Sequence, residues 1–277
     1  MASAASFSYA AALTSTVRNK FSLMTWNTAG LDHEPDELRE CTLAQCEEVK
    51  MYSPDVVYLQ EVTPSTCGLL RSTLQDYKMI PATEGRYFTA ILLKNSSVQH
   101  LSGSIETFFG SKQGRQLQTV RAKCADAELT LMCSHLESQG KSAGERVRQL
   151  KTVFERIAEA SSNSAVIFGG DLNLRDKEVT KAGGLPNGVF DIWSLCGEPP
   201  DAEFTWDPTQ NDKLEFPFKM TAKCRFDRLY LKQGTASGLK VVPERFMLVG
   251  KKRLPVCETF PSDHWGIVCD FKVEETK

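Results

Sequence analysis

A chain of 277 residues, 41% hydrophobic and 25% charged, has room for a substantial core and the composition of an ordinary globular protein. Its formal net charge of −2 excludes a polycationic nucleic-acid coat, so any contact with nucleic acid has to be local. No apolar stretch is long enough to cross a bilayer.

The first twenty residues, MASAASFSYAAALTSTVRNK, are rich in Ala, Ser and Thr and carry no acid. A secretory signal would put its charge first, whereas Arg18 and Lys20 fall at the end. Residues 1–20 read as a poorly ordered leader or linker, ahead of one folded domain over 21–277. Apolar patterning predicts strands at 21–27, 55–62, 87–94, 117–124, 129–136 and 164–173, and again at 225–232 and 265–273. Several are apolar nearly throughout, as expected of sheets covered on both faces. Helices are predicted near 36–53, where Pro54 stops the chain, and near 67–76. A third covers GERVRQLKTVFERIAEA, where Val147, Leu150, Phe154 and Ile157 fall on one face. Strands in direct succession over 87–136, with helices elsewhere, predict an α/β (α+β) fold. Its form is a four-layered sandwich, two packed mixed β-sheets flanked by helices. The nine cysteines form no CxxC pair and are odd in number. Free thiols in a reducing compartment fit them better than a disulfide framework or a zinc site.

Polar residues of catalytic type recur at the strand ends. Asn27 follows LMTW, Glu61 follows VVYLQ, His135 follows LMCS, and Asp171 and Asn173 follow VIFGG. Asp227 lies within CRFDR, and Asp263 and His264 precede the last strand. One such ending is an ordinary polar strand end; so many in one chain predict side chains converging on a single rim, where strands hold them firmly. Glu61 offers the hard oxygen that Mg²⁺ takes while keeping waters and phosphate oxygens, unless it is merely a solvated strand end. Asp171 can accept a proton from water while Asn173 holds water or phosphate, and two apart on an extended segment they face the same way. Gly169 and Gly170 would let backbone and substrate approach closely. Arg175 is a phosphate fork, or else the partner of Asp176.

The stretches TWN, LQEV, SHLES, GGDLNLRD, RFDR and SDHWG, in this order, resemble the motifs of the endonuclease/exonuclease/phosphatase superfamily from about Phe21 to Val273. Within it, YSPDVVYLQEV, YFTAILLK, RQLKTV, GGLP and TWD are similar to the 5′-tyrosyl-DNA phosphodiesterase family. The resemblance implies a deoxyribonuclease-I-like fold. It also implies Mg²⁺-dependent hydrolysis, with Mn²⁺ as a substitute, of the bond between a tyrosine side chain and a 5′-phosphate of DNA. Glu61 is then the metal ligand, with Asn27 near metal and phosphate and Asp263 in the outer shell. Asp171, with Asn173, aims and activates the water; Asp227 orients His264; and His264 and His135 donate to phosphate oxygens as charge builds there. The implied substrate contacts are Arg175, Tyr87 and Ser138, with Trp206, Leu214 and Phe216 as the apolar wall of a lid. The implied partners are a single-stranded or frayed 5′-phosphotyrosyl DNA end and a peptide from a trapped topoisomerase II, with tyrosyl-linked RNA as an alternative. A monomer away from membranes is expected, nuclear with a cytoplasmic pool, and engaged in DNA repair.

A phenol of pKa about 10 leaves far more readily than a sugar hydroxyl, so one metal could suffice. Ala29 stands where the family carries an Asp, which removes a ligand for a second ion. Gly140, followed by Lys141, stands where the family carries an Arg, which leaves one substrate contact open. Two other readings remain. Abasic-site endonucleases, deadenylases and inositol-phosphate phosphatases share GDLN and SDH. A non-catalytic binding module on the same fold would need none of Asn27, Glu61, Asp171, Asn173, Asp227 or His264.

Overall fold

The computed structural model describes residues 18–31, 35–83, 85–214, 220–255 and 257–276. Residues 1–17 of the predicted leader and the lid residue Phe216 lie outside the described residues. The chain runs through β1 (Lys20–Asn27), α1 (Pro35–Tyr52), β2 (Val56–Val62), α2 (Pro64–Thr73), β3 (Tyr77–Pro81) and β4 (Phe88–Lys94). It continues through β5 (Val98–Thr107), β6 (Gln116–Cys124), β7 (Ala127–Ser134), α3 (Ala143–Glu159), β8 (Ala165–Asp171) and α4 (Asp176–Lys181). It closes with β9 (Val189–Asp191), α5 (Ile192–Leu195), β10 (Asp227–Lys232), β11 (Leu239–Val249) and β12 (Gly266–Glu275).

Two six-stranded mixed sheets result, in the orders β11-β12-β1-β2-β4-β3 and β5-β6-β7-β8-β10-β9. Each contains one parallel pair, β1 with β2 and β7 with β8. These pairs are joined by α1 and α3, because parallel neighbours need a crossover. The strand alternation sorts side chains into three apolar interfaces. Leu23, Tyr58, Leu131, Ile167 and Leu229 point between the sheets. Met24, Trp26 and Leu59 point outward against Cys46 and Val49 of α1 and Leu70 of α2. On the other outer face Met132, Phe168 and Tyr230 meet Leu150, Val153, Phe154 and Ile157 of α3. Three interfaces make four layers, the predicted sandwich.

Edge strands are where the sequence reading fell short. β3, β5, β9 and β11 were not predicted, and all four lie at a sheet edge. β5 is mostly exposed, so it lacks an apolar face. β11 carries Pro243 at a break in register between Pro243 and Arg245, a place where an edge strand tolerates proline. α2 starts earlier than predicted because Thr63 caps it in a reciprocal pair with Thr66 and Pro64 occupies its first turn. On α3, Val147 is only half-buried, while the polar Arg146 and Gln149 are buried. β1 begins at Lys20, and Arg18 pairs with the buried Asp55 at 2.8 Å, so the last residues of the predicted leader are seated on the domain. All nine cysteines are free thiols, six of them buried, as expected.

Candidate active site

The alternation that fills the space between the sheets also builds the rim above it. Asn27 is in phase with Leu23, His135 with Leu131 and Cys133, Asp171 with Ile167, and Asp227 with Leu229 and Leu231. These four residues form the polar top layer of the inter-sheet core, and each is nearly solvent-free.

Glu61 breaks this rule. Its neighbour Gln60 takes the inward position, hydrogen-bonding Thr25 and Cys133, so strict alternation would turn Glu61 toward the outer helices. Instead the β2–β4 register shifts between Leu59 and Val62, and Glu61 adopts φ 56°. A bulge with a left-handed residue re-aims a side chain, and such strain gathers at functional sites. The loop after β1 wraps the bulge: both the Thr28 amide and its hydroxyl donate to the Gln60 carbonyl at 2.9 Å. Gly30 passes so close that a Cβ there would lie 2.2 Å from the Glu61 carbonyl oxygen.

Asp171 is the hub. Asn27 Nδ2 donates to its Oδ2 at 2.9 Å, and His135 Nε2 lies 3.3 Å from the same oxygen. The Asn27 amide is fixed in turn, since its Oδ1 accepts the Ala29 amide at 2.9 Å. Asp227 stands directly across the ladder from Asp171, and His264 sits between them. Its Nδ1 is 2.7 Å from Asp227 Oδ2, and its Nε2 is 3.8 Å from both Asp171 Oδ2 and Asp263 Oδ2. The His264 backbone is clamped as well: Trp26 Nε1 donates to its carbonyl, Ser262 Oγ accepts its amide, and that hydroxyl donates to the Asn27 carbonyl at 2.6 Å.

Burial opposes a charge on His264, but Asp227, Asp263 and Asp171 outweigh it and hold the imidazole protonated well above its usual range. His135 goes the other way. Burial, reinforced by the Arg115 cation, pushes it down to about 4, so it is neutral at pH 7. His264 is thus the imidazolium, and His135 a neutral neighbour of Asp171 that can still donate through one ring N–H. Burial also works against the Asp171 charge, yet His135, His264 and Asn27 together hold its carboxyl below the usual range. Glu61 is crowded by burial and by the carboxylates Asp263 and Asp171, which push it up to about 7.

Other expectations change in detail. Asn173 does not share an extended face with Asp171, because β8 ends at Asp171 and Asn173 turns to φ 51°. Its amide N–H instead caps Asp171 Oδ1 at 3.0 Å, and its side chain reaches the Leu136 carbonyl at 3.4 Å. Gly169 and Gly170 serve strand packing rather than substrate: a Cβ on Gly170 would lie 2.1 Å from the Ser134 carbonyl oxygen, and one on Gly169 2.4 Å from that of Arg228. Arg175 does not pair with Asp176, which binds Arg228 at 2.8 Å. Its guanidinium lies 5.0 Å over the Phe226 ring. Trp206 is half-buried rather than core, bridged to Cys224 and 5.7 Å from Phe226, whose ring is 6.2 Å from His264. Leu214 is half-buried where the described part of the lid ends.

Opposite the lid, Arg115 was missed by the sequence reading because it lies inside a strand-connecting loop without a motif. It is nearly fully buried and makes no ion pair among the described residues. Its guanidinium lies 5.1 Å over the Tyr87 ring and is held by Gln113 Oε1 at 3.1 Å. Tyr87 tilts toward His135 at 6.4 Å and donates to the Gln113 carbonyl at 3.3 Å. Ser138 exchanges hydrogen bonds with the same Gln113 side chain. Tyr87, Gln113, Arg115 and His135 together line a small cavity.

Asp171, Asp227 and His264 offer ligand atoms within 4.8 Å of one another. The His264 imidazolium already serves those two carboxylates, with Nδ1 2.7 Å from Asp227 and Nε2 3.8 Å from Asp171, while Glu61 lies in the field of Asp263 and Asp171. Negative charge crowds that side enough to displace the Glu61 titration, and a divalent ion would relieve it. The donor set fits a hard cation.

The Endonuclease/Exonuclease/phosphatase family model matches residues 24–264. The chain is 44% identical to the tyrosyl-DNA phosphodiesterase 2 of Rattus norvegicus over 91% of its own length and 67% of the relative's. With that of Homo sapiens the identity is 42%, over 91% and 68%. The crystal structure of the D. rerio protein complexed with single-strand DNA product superposes with TM-score 0.87 at 37% identity, covering 91% of this chain and 99% of that one. The C. elegans protein gives TM-score 0.81 at 34% identity over 91% and 75%. With these likenesses, the chain belongs to the endonuclease/exonuclease/phosphatase family, in its tyrosyl-DNA phosphodiesterase 2 branch.

Proposed function

We propose that this chain hydrolyses the bond between a tyrosine oxygen and the 5′-phosphate of DNA, with Mg²⁺ as its cofactor. Water adds to phosphorus, the phosphorus–phenol oxygen bond breaks, and a 5′-phosphate and the tyrosyl compound leave. The observation that carries this reading is the placement of the Asp171 hub between two unlike walls. On one side lies the aromatic pair Trp206 and Phe226; on the other, Arg115 sits as a buried cation over Tyr87.

Asp171 aims the water. Its carboxyl is held too low to be a strong base in the resting site, but a substrate phosphate that takes over the His264 donor removes part of that stabilisation, and its proton affinity rises. His264, kept cationic by Asp227, donates from Nε2 to a non-bridging phosphate oxygen. Asn27 and Asn173 hold Asp171 in place. Arg115, which makes no ion pair among the described residues, faces the negative charge that develops on the phenol oxygen. A Mg²⁺ held by Glu61, with Asp263 and Asn27 in attendance, would screen the phosphate's charge.

The natural substrate on this reading is a single-stranded or frayed DNA end carrying a topoisomerase II peptide, with tyrosyl-linked RNA as a second polymer. On the same reading it is a nuclear repair enzyme, with a cytoplasmic pool, that acts as a monomer. The test is cleavage of an oligonucleotide bearing 5′-phosphotyrosine, with and without Mg²⁺, beside an abasic-site duplex and a 3′-tyrosyl end. Faster turnover of either of the latter two would overturn the assignment.

A further inference from the structure

A tyrosyl–DNA adduct is two polymers joined at one phosphorus, so a site with the nucleic acid on its lid side must pass the polypeptide out on the other. There the loop between β5 and β6 is braced. The Phe108 amide donates to the Arg115 carbonyl at 3.0 Å, and the Phe108 carbonyl accepts the Ser111 amide at 3.2 Å. Ser111 Oγ donates to Glu137 at 2.7 Å, and the Lys112 and Gln113 amides donate to the same carboxylate. Phe109 sits at the tip of this fixed loop, wholly exposed at 102%. One exposed aromatic is unremarkable by itself, but this one edges a groove of about 340 Å³ between the loop and α3.

The groove's charge says what does not lie there. Glu106, Glu145 and Glu155 face Arg148 and Arg156, and both arginines are already paired, with Glu145 and with Glu106. Neither of the arginines lining the groove is left over for a phosphodiester chain, whereas a polypeptide needs an apolar anchor and hydrogen-bonding walls. The groove is tied to the wall of the reaction site by a chain of hydrogen bonds. Gln149 lines it while its side chain receives the Glu137 amide at 2.9 Å, and Glu137 orders the residues that hold Arg115 and Tyr87.

We infer that the groove between Phe109 and α3 is a subsite for the polypeptide attached to the substrate tyrosine, with Phe109 as its apolar anchor. This rests on the tyrosyl phosphodiesterase reading above. The test compares kcat/KM for one oligonucleotide carrying 5′-phosphotyrosine alone and the same oligonucleotide carrying it within a hexapeptide. Phe109→Ala should lower kcat/KM on the peptide substrate by about fivefold or more, the scale of a lost interface anchor. The bare tyrosyl substrate should be unaffected, and Phe109→Trp should restore the peptide substrate. Equal losses on both substrates would show that Phe109 acts on Arg115 through the loop, and no loss on either would show an empty groove; each overturns the inference. A loss that grows with oligonucleotide length instead would place nucleic acid in the groove. Should the unmodified protein fail to cleave even bare 5′-phosphotyrosine, the function itself fails and the subsite with it.

Discussion

At the residue scale, four carboxylates and two histidines of unlike charge share the rim, and their differences assign the work. Asp171→Asn keeps the shape of the hub but removes its charge, and turnover should become undetectable in a single-turnover assay. His264→Ala removes one preorganised donor to the phosphate and should cost on the order of 10² or more in kcat. Asp227→Asn leaves that imidazole in place without its counter-ion, so a substantial loss is expected there too. Near-wild-type rates in the Asp171→Asn protein would remove that residue from the mechanism. Glu61 gives a pH test whose sign is fixed. Its folded-state pKa of about 7 lies above the ordinary value of 4.5. The folded protein therefore holds the proton over that window while the unfolded chain releases it, and metal-free stability is lost as pH rises from 4.5 toward and through 7. Mg²⁺ competes with the same proton. Thermal melting should show Mg²⁺ stabilising the protein more at pH 8 than at pH 5.5, along a one-site curve because Ala29 supplies no second ligand. In Glu61→Gln both the pH slope over this window and the Mg²⁺ response should flatten; their persistence would move the metal elsewhere.

At the element scale, the rim follows from strand direction. β1, β2, β7 and β8 are the parallel strands of the two sheets, and Asn27, Glu61, His135 and Asp171 stand at or just beyond their carboxyl ends. β10 and β12 run antiparallel to β8 and β1, so they contribute from their starts: Asp227 opens β10, and His264 precedes Gly266. This was legible in the sequence because buried strands are long and apolar and each catalytic residue sits at a pattern break. The edge strands, the Glu61 bulge and the buried Arg115 were not legible. Their conformations depend on neighbours far along the chain, as the wrap of Thr28 around the Gln60 carbonyl shows. Trp206 was assigned from the family wording, and its bridge to Cys224 fastens the lid to the start of the β10 segment. Half-buried against Phe226, it presents a stacking face beside the phosphate site. Trp206→Ala should cost roughly 1–3 kcal/mol in kcat/KM on a long 5′-tyrosyl oligonucleotide. The loss should be much smaller on an aryl thymidine phosphate. Equal losses on both would make its role structural.

At the scale of the whole molecule, charge decides how the protein finds a DNA end. The net charge is −2, and the basic side chains around the rim are largely committed. Arg228 binds Asp176, Arg225 binds Asp191, Lys223 binds Asp207, and Lys213 is buried against Glu37. Among the described residues of the rim, Arg115 and Arg175 are cations without an ion-pair partner, and Arg115 faces the leaving group rather than the DNA chain. Few phosphates can then be neutralised, so binding should rest on stacking and on the end itself rather than on counterion release. Each phosphate neutralised on a single strand contributes about −0.7 to the slope of log affinity against log salt. With Arg175 as the one such contact the slope should be about −0.7, shallow for a nucleic-acid enzyme. Measuring KM for a 5′-tyrosyl oligonucleotide from low to moderate KCl checks this, provided turnover is slow enough for KM to follow binding. Arg175→Ala should flatten the slope by about one contact's worth. A slope several times steeper would mean that an extended basic track, outside the rim, carries the DNA.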